Sequence, residues 1–132
     1  MVFVDSNVLI DVISEDPVWC EWSLAQLRLA RAQDKLTINS MVVAEIAVAY
    51  DSADALMSFL KPTGIAVSPL TTQAAFLASR AFMRYRKTKG TKTGVLPDFF
   101  IGAHAEAEGW TLLTRDPTRY RRYFPTVPLI SP

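Results

Sequence analysis

Short runs of β-branched residues alternate with longer, helix-like stretches along the chain, and turn or cap residues separate them. This pattern predicts five strands, at Val2–Val4, Leu36–Ile38, Ile65–Val67, Trp110–Thr114 and Val127–Ile130. It predicts helices over Val8–Ile13, about Val18–Ala32, from an Asn39-Ser40 cap to Tyr50, about Ser52–Leu60, from a Thr71 or Thr72 cap to about Arg86, and from Pro97 to Gly109, with a last helix capped by Asp116-Pro117. Strands that alternate with helices indicate an α/β fold with a parallel sheet covered on both faces.

Two segments are predicted to interrupt the helices. Pro62-Thr63-Gly64 should end the fourth helix, and residues 87–96, with two glycines among basic residues and threonines, should form a loop. The chain contains no internal repeat and no low-complexity linker. Its 132 residues suit one domain, so a single domain over residues 1–132 is expected.

Composition excludes several classes of protein. One cysteine, Cys20, rules out an intramolecular disulfide and a CxxC zinc or redox site. Acidic residues interrupt the apolar runs well short of the ~20 residues that a membrane span requires. The opening segment MVFVDSNVLID lacks the basic region of a signal peptide. We therefore expect a reduced, cytoplasmic protein without a membrane partner.

The formal net charge of +1 hides a difference between the two halves of the chain. Residues 1–66 hold nine acids and four bases, whereas residues 67–132 hold four acids and ten bases. Clustered Lys and Arg side chains displace counterions from a phosphate backbone, although a solvated helix face and an exposed loop explain the clusters equally well. The candidate contacts to such a phosphate backbone are Arg84, Arg86, Lys87, Lys89, Lys92, Arg115 and Arg119.

Three acidic residues follow predicted strands or begin a predicted helix. Asp5 follows the first strand, Asp116 follows the fourth, and Asp98 lies in the first turn of the helix that begins at Pro97. In open parallel sheets the ligand site lies beyond the carboxyl ends of the strands, which favours a site shared by these acids. Each acid also has a purely structural explanation as a helix cap.

Glu45 is the only charged residue in the apolar segment 41–50. The residues three and four positions away from it are Met41, Val42, Val48 and Ala49, so its own helix face offers no cation. A buried carboxylate without a partner destabilises the fold or shifts its pKa upward. The pattern therefore predicts that a metal ion or a distant arginine compensates Glu45, or that its side chain emerges at the helix edge.

Carboxylates that converge on one place repel one another unless a divalent cation joins them. Oxygen ligands with no cysteine pair and a single histidine favour Mg²⁺ or Mn²⁺ over zinc. Such an ion can activate a water molecule to attack a phosphodiester. Acids that hold a metal beside bases that hold a backbone are typical of a nuclease.

Four segments resemble the motifs of a known family, in its order and at its spacing. They are VFVDSNVLI at residues 2–10, MVVAEI at 41–46, LPDFFIGAHA at 96–105, and LLTRD at 112–116 followed by Tyr120 and Phe124. On these residues the chain is similar, over nearly its whole length, to PIN-domain proteins and specifically to VapC-type toxin ribonucleases of toxin–antitoxin pairs. Gly102 departs from the family pattern, in which alanine is commoner, and should loosen its helix slightly.

The resemblance implies a three-layer fold with a five-stranded parallel sheet and an endoribonuclease that uses Mg²⁺ or Mn²⁺ to hydrolyse RNA. It implies that the acidic metal site consists of Asp5, Glu45, Asp98 and Asp116. The polar residues that would support these ligands are Ser6, Asn7 and Thr114. It also implies a cognate antitoxin protein as partner, and either a homodimer or a toxin–antitoxin hetero-oligomer.

Two other functions remain open. A catalytically silent PIN-like module could bind RNA or a partner protein, although the full set of four acids argues against it. A phosphatase of the haloacid dehalogenase type also begins with an Asp after its first strand, but that family requires D-x-D and position 7 is Asn. His104 is expected to make structural hydrogen bonds, because six residues along a helix turn it about 240° away from Asp98.

Overall fold

The structure is a computed structural model and describes residues 1–88, 90 and 95–132. Its strands are β1 (Val2–Val4), β2 (Leu36–Ile38), β3 (Ala66–Val67), β4 (Thr111–Leu113) and β5 (Leu129–Ile130). Its helices are α1 (Ser6–Ile13), α2 (Cys20–Gln33), α3 (Ser40–Ile46), α4 (Ala53–Thr63), α5 (Thr72–Lys87), α6 (Leu96–Glu108) and α7 (Thr118–Tyr123). A 3₁₀ turn, Ala47–Ala49, follows α3.

The five strands of the described chain form one parallel sheet in the order β3-β2-β1-β4-β5. β1 lies at the centre, where Val2 is opposite Leu36 of β2 and Thr111 of β4. The strand order runs outward from β1 to β3 on one side and from β4 to β5 on the other. This reversal creates a crevice beyond the carboxyl ends of β1 and β4, which is where open α/β sheets bind ligands.

The central strand is buried on both faces of the sheet. Successive side chains of a strand point to opposite faces, yet Val2, Phe3 and Val4 are only 6%, 0% and 0% exposed. Helices therefore cover both faces, as is usual for a parallel sheet. The predicted three-layer α/β fold with a five-stranded parallel sheet is confirmed.

Gly102 lies where α6 contacts the aromatic ring of Phe124. A Cβ atom added to Gly102 would lie 2.3 Å from Cδ2 and 2.4 Å from Cε2 of this ring, well inside van der Waals contact. Phe124 is 1% exposed and has little room to move. The glycine that departs from the family pattern therefore has a packing role, because the ring lies directly against the helix backbone.

His104 lies in the core on α6. It is 1% exposed, and its ring centroid lies 5.6 Å from that of Phe3 and 5.2 Å from that of Trp110. Its Nδ1 is 3.1 Å from Nδ2 of Asn39, whose Oδ1 accepts hydrogen bonds from the first backbone N–H groups of α3. His104 thus has the structural role that the sequence predicts.

Two predictions about helix ends are wrong. α4 does not end near Leu60 but continues through Pro62 to Thr63, because a proline in the last turn removes only one helical hydrogen bond. Gly64, the last residue of the predicted break, closes the helix with a φ of 75°. Asp116 does not cap α7, which begins at Thr118 with Pro117 as its N-cap residue.

The predicted loop at 87–96 falls partly outside the described residues, between the end of α5 and the start of α6. Within the described ranges, no helix is both long and apolar enough to cross a membrane.

Candidate active site

Two neighbouring strands bring polar residues side by side. Val4, at the end of β1, is opposite Leu113, at the end of β4, so the next residues, Asp5 and Thr114, leave the sheet together. The backbone N–H of Asp5 donates a hydrogen bond of 2.9 Å to the carbonyl oxygen of Leu113. The crevice at the centre of the sheet therefore opens on Asp5.

Asp5 is a deeply buried acid, 2% exposed. Its Oδ2 accepts hydrogen bonds from the hydroxyl groups of Thr114 (2.8 Å) and Tyr120 (3.0 Å) and from Nδ2 of Asn7 (3.2 Å). Asp5 is the N-cap residue of α1, but its side chain makes no capping hydrogen bond. These neutral donors orient the carboxylate and leave its negative charge uncompensated.

Glu45 approaches Asp5 from α3 through Ser6. The hydroxyl of Ser6 donates to Oε1 of Glu45 at 2.9 Å and lies 3.4 Å from Oδ1 of Asp5. Glu45 is partly exposed, and it forms no ion pair with any residue that the structure describes. Its side chain thus emerges at the helix edge without compensation from an arginine of the described chain.

The other two acids line the same crevice. Asp98 lies in the first turn of α6, where its Oδ2 forms an ion pair with Nη1 of Arg119. Asp116 is exposed, and its backbone N–H donates to the hydroxyl of Thr114 at 3.1 Å. Three of the four predicted acids therefore line one crevice, and the fourth, Glu45, is connected to Asp5 through Ser6.

The opening is a crevice of about 480 Å³. Besides three of the acids, it is lined by tyrosines and arginines of α5 and α7, namely Tyr85, Arg119, Tyr120, Arg122 and Tyr123. Acidic and basic side chains thus share one cavity that is open to solvent. Such a lining suits a polyanion together with a cation.

Burial and mutual repulsion raise the pKa values of three of these acids. Burial raises the pKa of Asp5 from 3.8 to about 7, against the lowering effect of the Thr114 hydrogen bond and with further increases from Asp98 and Glu45. Burial is also the main cause of the raised pKa of Glu45 and of Asp98, where Arg119 acts in the opposite direction. Carboxyl groups that raise one another's pKa lie within electrostatic reach of each other.

The donor set suits a hard divalent cation in kind. The four acids offer carboxylate oxygens, which Mg²⁺ and Mn²⁺ prefer, and the buried charge of Asp5 is one that such an ion would neutralise. Among residues 1–88, 90 and 95–132, however, no three His, Cys, Asp or Glu side chains are grouped closely enough to hold one ion. The four-acid metal centre therefore stays a prediction.

Two of the predicted RNA contacts, Arg115 and Arg119, form ion pairs with acidic residues of the protein. Nε of Arg115 donates to Oδ1 and Oδ2 of Asp11, at 3.0 and 2.9 Å. Asp11 is 1% exposed and also accepts a hydrogen bond of 2.7 Å from the hydroxyl of Ser23. Arg119 is paired with Asp98. The positive charge of either arginine would therefore be shared between a phosphate and a carboxylate of the protein.

The remaining predicted RNA contacts lie at and beyond the end of α5. Arg84, Arg86 and Lys87 are exposed, and Nη2 of Arg84 donates to the carbonyl oxygen of Tyr123 at 3.2 Å. Lys89 and Lys92 lie outside the described residues. The exposed basic end of α5 stays available for an anionic partner.

Sequence reasoning missed two residues of the site. Tyr120 belongs to the closing motif without an assigned role, yet its hydroxyl binds Asp5. Asp11 holds Arg115 and thereby ties the segment after β4 to α1. A signal existed for Asp11, since it is a single acid in an apolar helix, as Glu45 is. The signal for Tyr120 was its place in the closing motif, which does not identify the partner of its hydroxyl.

Comparison with known proteins agrees with the fold. The family model described as PIN domain matches residues 2–124, and no curated protein sequence matches the chain significantly. The structure of VapBC2 from Rickettsia felis bound to a DNA fragment from their promoter has a TM-score of 0.73 and 22% identity, over 99% of this chain and 98% of that chain. DNA-bound VapBC from Salmonella typhimurium has a TM-score of 0.71 and 18% identity, over 98% and 96%. FitAcB from Neisseria gonorrhoeae has a TM-score of 0.65 and 21% identity, over 98% and 96%. At these identities the likeness shows the fold.

Proposed function

The chain belongs to the PIN domain family, and on that premise we propose that it is a metal-dependent endoribonuclease, the toxin of a toxin–antitoxin pair. One observation carries the proposal. Asp5 is 2% exposed just beyond the carboxyl end of the central strand, its pKa is raised to about 7, and it lines an open crevice with two further acids. A bound cation would strongly stabilise the charged form of such a buried carboxylate, and a nuclease of this family would use that cation.

The four acids would hold Mg²⁺ or Mn²⁺. Asp5, Asp98 and Asp116 would be its ligands, and Glu45 would complete the site by binding the ion or by orienting the attacking water. When bound, the ion supplies an activated water and neutralises charge that develops on the phosphate. The identity of the ion and of these ligands is part of the proposal.

Neutral hydrogen-bond donors would keep two of the acids ready for the ion. The hydroxyls of Thr114 and Tyr120 and the amide of Asn7 orient Asp5. Ser6 holds Oε1 of Glu45. Outer partners of this kind fix the direction of a ligand oxygen without competing for the metal.

The basic residues beside the crevice support RNA as the substrate. Arg84, Arg86 and Lys87 are exposed at the end of α5, and Arg122 lines the crevice itself. Side chains of this kind would position the phosphate backbone, while the acids would act on one phosphodiester bond. Their contribution would appear as a decrease of RNA affinity with rising salt.

The toxin role is supported by the solved VapBC structures, which share the fold over nearly the full length of both chains. For this chain we propose a cognate antitoxin protein as partner, in a homodimer or a toxin–antitoxin hetero-oligomer. Expression of the chain without an antitoxin should then arrest the growth of a bacterial host. Expression of an Asp98→Asn variant should not.

A catalytically silent PIN-like module that binds RNA or a protein is the second candidate. One observation favours it, namely that in the described part of the chain no three acids are grouped closely enough for one ion. A direct cleavage assay distinguishes a silent module from a nuclease.

The test is RNA cleavage by the purified chain in Mg²⁺ and in Mn²⁺, with EDTA and the Asp98→Asn variant in parallel. Asn keeps the shape of Asp and removes its charge, and Asp51→Asn makes the same change at an exposed acid outside the crevice. We expect the wild type and Asp51→Asn to cleave, and EDTA or Asp98→Asn to abolish cleavage. Unchanged cleavage by Asp98→Asn would refute the assigned site. RNA binding without cleavage in either metal would favour the silent module.

A further inference from the structure

A cation of the protein lies within the acidic crevice. Arg119 is near the start of α7 and forms an ion pair with Asp98 of α6, and the two side chains are 26% and 31% exposed. Arg122 lines the same crevice, but its Cζ lies over the ring of Tyr123, 5.4 Å from the ring centroid. The ion pair therefore distinguishes Arg119 from a neighbour of the same charge.

Arg119 supplies positive charge that the acids otherwise lack. In the chain as described, no Lys or Arg forms an ion pair with Asp5, Glu45 or Asp116. Burial raises the pKa of Asp98 and Asp116 adds to this effect, whereas Arg119 opposes it. The pair thus relieves part of the repulsion among the carboxylates while no metal is bound.

A divalent ion and Arg119 would compete for the same carboxylate. The guanidinium occupies Oδ2 of Asp98, and a second cation beside it would be repelled. The ion pair links Asp98 of α6 to Arg119 of α7.

We propose that Arg119 is a resident counter-cation that competes with the divalent ion for Asp98 and thereby sets how tightly the site binds metal. The inference rests on the proposed function, because it concerns the ion which that function requires. Arg119 acts here as a positioning residue, since it acts through Asp98. Metal affinity, measured without RNA, separates this role from a purely structural one.

The test is calorimetric titration of Mn²⁺ into the metal-free protein. Arg119→Gln removes the ion pair together with one positive charge, and Arg119→Ala does the same with a different side chain. Arg122→Gln removes one positive charge from the same crevice and leaves the ion pair in place. We expect the affinity for Mn²⁺ to rise about three- to tenfold in both Arg119 variants and less than about twofold in Arg122→Gln.

The outcomes separate this inference from the proposed function. Equal affinities in the Arg119 and Arg122 variants would show a general charge effect, and weaker binding in the Arg119 variants would show that Arg119 assists the ion. Either result overturns the inference and leaves a metal-dependent nuclease intact. No Mn²⁺ binding by the wild type or any variant overturns both. Melting of each variant with and without Mn²⁺ should rank the affinities in the same order.

Discussion

Replacing Asp5 by Asn should stabilise the metal-free protein while it abolishes nuclease activity. The amide keeps the shape of the side chain, and its oxygen can accept the same hydrogen bonds from Thr114, Tyr120 and Asn7. The substitution removes a negative charge that is 2% exposed and bound only by neutral donors. Burial of such a charge destabilises the folded state, so its removal should raise the free energy of unfolding.

The magnitude follows from the raised pKa of Asp5. Its pKa changes from 3.8 to about 7 on folding, a difference of about three units. At 1.36 kcal/mol per unit, this difference corresponds to at most about 4 kcal/mol. Rearrangement of water and side chains around the ionised carboxylate reduces the effect, so we expect about 2 kcal/mol. Because the folded pKa is raised, the contribution of Asp5 to stability is present in full below about pH 4 and is lost as the pH rises through about 7.

Urea unfolding of metal-free wild type and Asp5→Asn, at about pH 4 and about pH 8, measures this difference. The two proteins should be equally stable in acid, and the variant should be more stable at the higher pH. Asp116→Asn is the matched control, since Asp116 is exposed at the same crevice and its replacement should change stability little. Saturating Mn²⁺ should stabilise the wild type and not Asp5→Asn. Equal stability of wild type and Asp5→Asn at about pH 8 would refute the reasoning.

Three further experiments test packing and charge elsewhere. Gly102→Ala should lower the free energy of unfolding by about 1 to 2 kcal/mol despite its better helix propensity, and Phe124→Leu in the same chain should restore part of the loss in urea unfolding. Arg115→Gln leaves the carboxylate of Asp11 without its cation and should cost about 2 to 4 kcal/mol, which Asp11→Asn should partly recover; no recovery would contradict the ion-pair explanation. Burial lowers the pKa of His104, so the contribution of its neutral imidazole to stability should be lost as the pH drops below about 6.5, which is opposite in sign to the effect of Asp5; the difference in unfolding free energy between wild type and His104→Gln should therefore change in favour of the variant below that pH.

The arrangement around Asp5 could be predicted because it depends on the backbone. Parallel strands end at one edge of a sheet, so acids that follow β1 and β4 had to lie near each other once the strands were recognised. The Asn39 cap of α3 could be predicted for the same reason, since a cap depends on residues two and three positions away. Local rules and strand order therefore carry most of the fold and the centre of the site.

The partners of long side chains could not be predicted in this way. The arginines at 115 and 119 count as free positive charge in the sequence, but each is paired with a carboxylate on a distant helix. The choice of partner depends on how α1, α6 and α7 pack, and no periodicity in the sequence encodes it. The packing role of Gly102 could not be predicted for a similar reason, because the ring that requires a glycine comes from Phe124, beyond its own helix.

The acids of this site destabilise the metal-free protein, and two of them have partners of different charge. Asp5 receives only neutral donors, whereas Asp98 receives Arg119. Asp5→Asn should therefore stabilise the metal-free protein, and Arg119→Gln should destabilise it slightly, by up to about 1 kcal/mol. Saturating Mn²⁺ should reverse this order of stability. The ion binds Arg119→Gln more tightly than the wild type, and it does not stabilise Asp5→Asn. If the order of stability of the two variants were the same with and without Mn²⁺, these acids would not be organised around a divalent cation.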